Sequence, residues 1–217
     1  MLIEAKVPKS WSEVSLRKFE DLTEAIAINP ENPYELTART IAALSEIPYD
    51  EVRTWPVSVL QSPELSEALA FVNSEPKKRL PSEKLELNGK KYTVNLYPQK
   101  WTAGQWLDYT NIAKEESDVK KMARLIACFT IPKGCEYGKG YDFDELVNEL
   151  NENMDIETAM GFAGFFQLQF DAFTKALLAY SERQMKKLKK STRRLERRSN
   201  KDRKTVTQDT QRNGQAS

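Results

Sequence analysis

The sequence predicts a mainly α fold: a helical bundle with one small β-hairpin and a long C-terminal helix that runs into a basic, disordered tail. Apolar residues recur at helical spacing in several segments, one segment alternates around Asn88-Gly89 instead, and Lys and Arg replace the apolar residues after Tyr180. With 217 residues and 40% hydrophobic content, the chain can bury one core and a small appendage. We therefore expect one helical domain over residues 1–183, with the hairpin near 84–97, and a basic helical extension and disordered tail over 184–217.

The N-terminal third is predicted to form four helices. Ser15 is expected to cap the first, which stops at Asn29-Pro30, and Asn32 and Pro33 open the second. Asp50 is expected to cap a short third helix, and a fourth covers residues 63–72. The apolar positions of the first two helices are Leu16, Phe19, Leu22, Ile26, Leu36, Ile41 and Leu44.

The segment KLELNGKKYTVNLY predicts a β-hairpin. Its apolar residues alternate with polar ones, and Asn88-Gly89 supplies the two positive-φ residues of a type I′ turn. Because an isolated hairpin is marginal in water, this one has to pack against the helices or pair with the edge of another chain.

Four more helices are predicted after the hairpin. Thr102 is expected to cap one that buries Trp106, Tyr109 and Ile112. Ser117 is expected to cap the next, which includes Phe129 and stops at Pro132. A short helix then begins at Asp142 or Asp144. Asp155 caps the longest helix, which extends to about Leu188 and gives way to disorder near Asn200.

The composition argues against most catalytic and metal sites. The chain has no histidine, which is the commonest general base and metal ligand, so Cys/His dyads, Ser/His/Asp triads and ordinary zinc sites are excluded. We expect no enzyme activity, cofactor or metal, and we expect Cys128 and Cys135 to be free thiols rather than a disulfide. The sequence has no apolar run of membrane-spanning or signal-peptide length, so an intracellular protein is expected.

Three motifs have a functional and a structural interpretation. The loop over residues 134–140 is Gly-rich and contains Lys139, but it lacks phosphate-loop spacing, so a flexible connector is favoured over nucleotide binding. The acidic residues Asp142, Asp144 and Glu145 suit helix capping better than calcium binding. Packing at helix ends is favoured over a stacking surface for the four tryptophans, Trp11, Trp55, Trp101 and Trp106.

Charge divides the chain into an acidic body and a basic tail. Residues 184–217 contain 12 Lys and Arg against 3 Asp and Glu, a net charge of +9, and residues 1–183 contain 21 against 29, a net charge of −8. We expect the tail to bind an acidic partner: a protein, the body of a second copy, or nucleic acid without sequence preference. As a helix, the tail is expected to present cations on every face, which argues against a membrane-surface helix. The candidate partner-binding residues are Lys186, Lys187, Lys189, Lys190, Arg193, Arg194, Arg197 and Arg198.

Several segments of the sequence resemble those of a known group of proteins. They are WSEVSLRKFEDL, ARTIAALSEIPYDEVRTWP, LELNGKKYTV, and IACFTIPKG followed by an aromatic-rich helix. Over residues 11–188 the chain resembles small morphogenesis proteins of tailed bacteriophages, chiefly the tail assembly chaperones.

The resemblance implies a non-catalytic helper. Such a protein binds the tape-measure protein or its neighbours in the host cytoplasm during tail assembly. Two other hypotheses stay open: a virion structural protein of the head–tail connector or neck, and a cytosolic nucleic-acid-binding accessory protein that uses the basic tail.

Overall fold

The structure, a computed structural model, describes the backbone of residues 6–28, 31–114 and 121–213. Within these ranges it describes all side chains except those of residues 173, 177, 180, 188 and 190–213. The described chain is mainly helical, with a small antiparallel sheet and a long C-terminal helix, so the predicted fold class is confirmed. Two compact units divide it, Met1–Leu168 and Gln169–Ser217.

The described helices and strands follow one another in a simple order. The helices are α1 (Leu16–Ala27), α2 (Pro33–Leu44), α3 (Tyr49–Val52), α4 (Val57–Leu60), α5 (Pro63–Leu69), α6 (Ala103–Ile112), α7 (Met122–Ala127), α8 (Phe143–Asn153) and α9 (Ile156–Asn213). The strands are β1 (Lys84–Leu87), β2 (Lys90–Val94) and β3 (Thr130–Pro132). Short 3-10 turns occur at Trp11–Glu13, Ala70–Asn73 and Pro98–Lys100.

Most predicted helix starts are confirmed by side chains that cap the first turn. The Ser15 hydroxyl accepts a hydrogen bond from the Lys18 amide at 3.3 Å, and the Asn32 side chain accepts one from Tyr34 at 2.9 Å. The Thr102 side chain and the side chain at the third helical position form a reciprocal capping box. These residues satisfy amide groups that a helix start otherwise leaves without partners.

Other predicted helix starts need correction. Pro48, not Asp50, precedes the first residue of α3, because its extended backbone leads into the turn and Asp50 already lies inside it. Asp142 caps α8 by accepting from the Glu145 amide at 2.9 Å, so Asp144 lies within the helix. The short helix α4 was not predicted. Ser117 lies outside the described residues.

The hairpin forms at the predicted turn. Asn88 and Gly89 have φ values of 47° and 74°, and Leu87 pairs with Lys90 across the turn. A third strand then pairs antiparallel with β2, with Thr93 opposite Ile131.

The prediction that residues up to Pro132 belong to a helix was wrong. Helix α7 ends at Ala127, and the chain continues as the edge strand β3. An edge strand tolerates Pro132, because its missing N–H faces away from the ladder. Packing against β2 therefore overrides the local helical pattern.

The core of the first unit is centred on Phe129, which is completely buried. Its ring lies 4.2 Å from Trp101 and 4.3 Å from Phe166, measured between centroids, and 5.2 Å from Tyr109. Aromatic rings at these separations are favourable beyond the area that they bury. Phe129 therefore joins α6, the α7–β3 turn and α9.

Helix α9 begins at a junction of distant segments. The Leu16 amide donates to the Met154 carbonyl at 3.0 Å, and the Ile156 amide donates to Val14 at 2.9 Å. The extended segment 75–82, which we call the strap, adds a hydrogen bond from the Arg79 amide to the Glu157 carbonyl at 3.0 Å.

The helix is longer than predicted. It continues past the expected transition near Asn200 to Asn213. Neither glycine nor proline occurs between Gly164 and Gly214, and Lys, Arg and Gln favour a helix, so no residue type in this stretch breaks it. No helix in the described part of the chain is both long enough and apolar enough to cross a membrane.

Gly161 and Gly164 offer a matched test of the strap. A methyl group at Gly161 would overlap the carbonyl group of Arg79, whereas one at Gly164 would meet no atom within 4 Å. We expect Gly161→Ala to lower the free energy of unfolding by about 1–3 kcal/mol through overpacking. Gly164→Ala should raise it by about 0.5–1 kcal/mol through helix propensity.

Urea unfolding followed by tryptophan fluorescence measures this difference, because all four tryptophans lie in the first unit. Equal effects of the two substitutions would show that the strap does not approach α9 at Gly161.

Candidate functional site

The predicted partner-binding residues all lie on α9 within the second unit. The side chains of Lys186, Lys187 and Lys189 are exposed. The other five, Lys190, Arg193, Arg194, Arg197 and Arg198, have a helical backbone, and their side chains are outside the described set.

The regular helix groups these eight positions on one side. Successive residues are rotated by about 100°, so the eight positions fall within roughly 180° of the helix circumference. Leu188 and Leu195 occupy positions on the other half. Each adjacent pair of these cations returns to the same side after three or four residues, whereas Arg203 of the same basic run falls on the other half. The expectation that the cations of the whole run occupy every face stays a prediction.

A second feature of the distal helix is an exposed apolar strip. Leu178 is 60% exposed and Met185 is 56% exposed. Seven residues separate them, close to two turns, so they lie on the same side of the helix. Asp171, seven residues before Leu178, and Lys189, four after Met185, lie on this side as well, and both are exposed. We call these four residues the distal strip.

The distal strip was not predicted from the sequence. Before Phe173, apolar residues of α9 itself occupy nearly all sides of the helix. The sequence therefore suggested that this part is buried and that the helix emerges into solvent beyond Tyr180. The seven-residue spacing of Asp171, Leu178 and Met185 was the available signal.

A groove in the described part of the first unit lies between the sheet and α8. It encloses about 920 Å³, with lysines on the sheet side and carboxylates on the helix side. The Lys90 ammonium lies 2.6 Å from the Glu149 carboxylate and joins the two walls. This hydrogen bond and the charge of Glu149 raise the pKa of Lys90 above its ordinary value. Lys90 and Glu149, one on each wall of the groove, therefore neutralise each other within this chain.

The Gly-rich loop packs against α6. The Tyr137 hydroxyl donates to the Asp108 carboxylate at 2.5 Å, and the Tyr137 ring lies beside Gly104. Burial, followed by the hydrogen bond to Asp108, raises the pKa of Tyr137 above its ordinary value. The loop's Lys139 lies 3.7 Å from Glu136 of the same loop.

Both cysteines are free thiols, as predicted. Burial raises the pKa of Cys128 to about 12. Its thiol donates to the Arg124 carbonyl at 3.4 Å, a bond that requires the proton. Because the thiolate is the nucleophile, Cys128 is chemically inert near neutral pH.

The acidic cluster that begins at Asp142 and the tryptophans Trp11 and Trp101 have the predicted structural roles. Asp142 caps α8, as described above. Trp11 is buried and donates its indole N–H to Ser74, and the Trp101 indole donates to Asn95 at 2.9 Å while its ring stacks on Phe129. Among the described residues, no three Cys, Asp or Glu side chains are grouped to hold a metal ion.

No family model, curated protein or solved structure matches this chain. The distal helix, with its exposed apolar and charged residues, is therefore the candidate functional site.

The buried thiol predicts a loss of stability at alkaline pH. A thiol whose pKa is raised by folding contributes its full stability below the ordinary pKa and loses it as the pH rises towards the folded value. We expect Cys128 to lower the free energy of unfolding by about 1–1.5 kcal/mol between pH 8.5 and 10.

Urea unfolding of the native protein and of Cys128→Ala across this range tests the prediction. The native protein and the variant differ in how the free energy of unfolding changes with pH, and this difference isolates the contribution of the thiol from that of the tyrosines. Parallel slopes would contradict it.

Proposed function

We propose that this chain is a non-enzymatic bacteriophage assembly protein of the tail assembly chaperone type, which acts in the host cytoplasm and binds a partner protein through its distal helix. The single observation that carries the proposal is the exposure of Leu178 and Met185 beside the cationic residues of the same helix.

The distal unit has the properties of a binding element. It is one helix, and helices in water depend on packing of an apolar face for most of their stability. Two large apolar side chains on one side of such a helix supply a face for a partner to cover. Lys and Arg extend this face, because their aliphatic stems cover apolar surface while the charged ends stay in water.

The net charge of the distal unit supports an acidic partner. Residues Gln169–Ser217 contain 14 Lys and Arg against 5 Asp and Glu, a net charge of +9. Such a charge accelerates encounter with an acidic protein and disfavours basic ones.

Co-expression with the tape-measure protein of the same genome tests the proposal. We expect the full chain to keep that protein in the soluble fraction and to co-purify with it. A version that ends at Gln184 should lose most of this effect, because it lacks Met185 and every candidate cation. Replacement of Lys77 and Lys78 by Glu, on exposed lysines of the first unit, is the matched control.

Equal solubility of the tape-measure protein with and without this chain would contradict the chaperone function. Recovery of the chain in purified particles at a fixed copy number would instead support the connector or neck hypothesis.

Nucleic-acid binding is a second candidate. It is favoured by the eight candidate cations, whose positions fall within roughly 180° of the helix circumference. Cations on one side of a helix can face a phosphate backbone together, without reading bases. If this hypothesis is right, the full chain is retained on DNA and its affinity falls steeply as the salt concentration rises. The logarithm of the binding constant, plotted against the logarithm of the salt concentration, then has a slope of about −0.9 for each phosphate contact. The version that ends at Gln184 should elute without retention, and the Lys77 and Lys78 variant should bind as the native protein does.

A further inference from the structure

We propose that two copies of this chain pair antiparallel through the outer edge of strand β1, so that their two sheets become one. The occupant of the edge is a second copy of the same strand. This inference concerns the first unit, and it goes beyond the client binding that is proposed for the distal helix.

Strand β1 forms one edge of the sheet. The strand order β1-β2-β3 places β2 on one side of it, and among the described residues no strand pairs with its other side. Lys84 and Glu86 of this strand are both exposed. An exposed strand edge presents backbone groups that a further strand can bind.

The hairpin register shows which backbone groups point outward. The Val94 amide of β2 donates to the Glu83 carbonyl at 2.8 Å, and Leu85 follows Glu83 after two residues. An antiparallel ladder uses the backbone groups of alternate residues, so Glu83 and Leu85 face β2. The N–H and C=O groups of Lys84 and Glu86 therefore point away from β2, towards the outer edge.

The Lys84 amide agrees with this outward direction, because it donates to the Ser82 hydroxyl at 3.2 Å rather than to β2. Pairing with a second copy exchanges this bond for one to a backbone carbonyl. When Lys84 of one copy lies opposite Glu86 of the other, each of these two pairs exchanges two backbone hydrogen bonds. Two copies can therefore share four backbone hydrogen bonds.

Charge selects this register. A two-fold axis repeats the contact of Lys84 with Glu86, so the pair of strands contains two direct contacts of opposite charge. A shift by two residues in either direction sets Glu86 opposite Glu86 or Lys84 opposite Lys84. In the selected register, like charges lie only on the diagonals, about 7–8 Å apart, whereas direct neighbours are about 4.5–5.5 Å apart. Glu83 lies opposite the apolar Leu87.

The neighbouring strand agrees with the same register. On β2, Lys91 lies opposite Glu86, and Thr93 lies opposite Lys84. Glu86 is then placed between two lysines, and Lys84 has no like charge directly opposite it on either side. The half-buried Leu85 lies opposite Leu85 of the second copy at the axis, which adds an apolar contact.

Sedimentation equilibrium of the purified full chain, up to about 100 µM, tests the inference by charge exchange. Lys84→Glu and Glu86→Lys should each raise the dissociation constant of the dimer at least tenfold, because each sets like charges opposite each other twice. An equimolar mixture of the two variants should restore the dimer, because both contacts then join Glu to Lys. Lys187→Glu, at an exposed lysine of the distal helix, is the matched control and should leave the dimer unchanged.

A cysteine at the axis tests the register. Leu85 and its copy form a pair without hydrogen bonds, in which the Cα atoms lie about 4.5 Å apart, within the range that a disulfide spans. In a Cys135→Ser background, which removes the less buried native thiol, Leu85→Cys should form a disulfide-linked dimer with oxidised glutathione. Glu86→Cys should not, because its two copies lie on a diagonal.

Four results would overturn the inference: a monomer at every concentration, a mixture of charge variants that associates no better than either alone, a disulfide that forms as readily with Glu86→Cys as with Leu85→Cys, or an equal loss with Lys187→Glu. The last result would support a contact between the acidic body and the basic tail. Because the purified chain is measured alone, the outcome is independent of whether the distal helix binds a client.

Discussion

The first two turns of α9 are the junction on which the rest of the first unit depends. Backbone hydrogen bonds join Met154 and Ile156 to the segment that begins α1, and the strap adds its own bond at Glu157 before crossing Gly161. These contacts connect residues that are far apart in the sequence, and they involve backbone groups that would otherwise lack partners. The start of α9 is therefore fixed by two distant segments together with its own cap, in which the Asp155 carboxylate accepts from the Thr158 amide at 3.0 Å.

Both parts of α9 carry large apolar side chains, but in different surroundings. Phe162 and Phe166 are buried in the first unit, where Phe166 packs on Phe129. Leu178 and Met185, farther along the same helix, are exposed. Burial of the first pair stabilises the fold, whereas exposure of the second pair leaves a surface for another molecule. This contrast connects the fold to the proposed function, since binding of a client uses apolar surface that the fold does not cover.

The candidate site could be predicted from the sequence only in part. The cluster of cations beginning at Lys186 was evident from composition, because charge needs no knowledge of packing. The grouping of the eight positions on one half of the helix follows from their spacing once the segment is helical, and all eight precede the expected transition near Asn200. The distal strip was missed because the exposure of Leu178 cannot be distinguished from the burial of Phe166 by residue type alone.

The sequence by itself determined the local elements of this protein. Ser15, Asn32 and Thr102 each begin a helix through bonds within four residues, and Asn88-Gly89 forms its turn because both residues accept positive φ. Tertiary structure alone decided that Thr130–Pro132 is a strand, that the strap crosses Gly161, and which apolar residues of α9 are exposed. The physical reason is range: capping and turn formation depend on neighbours in the sequence, whereas burial and strand pairing depend on segments that only the folded chain brings together.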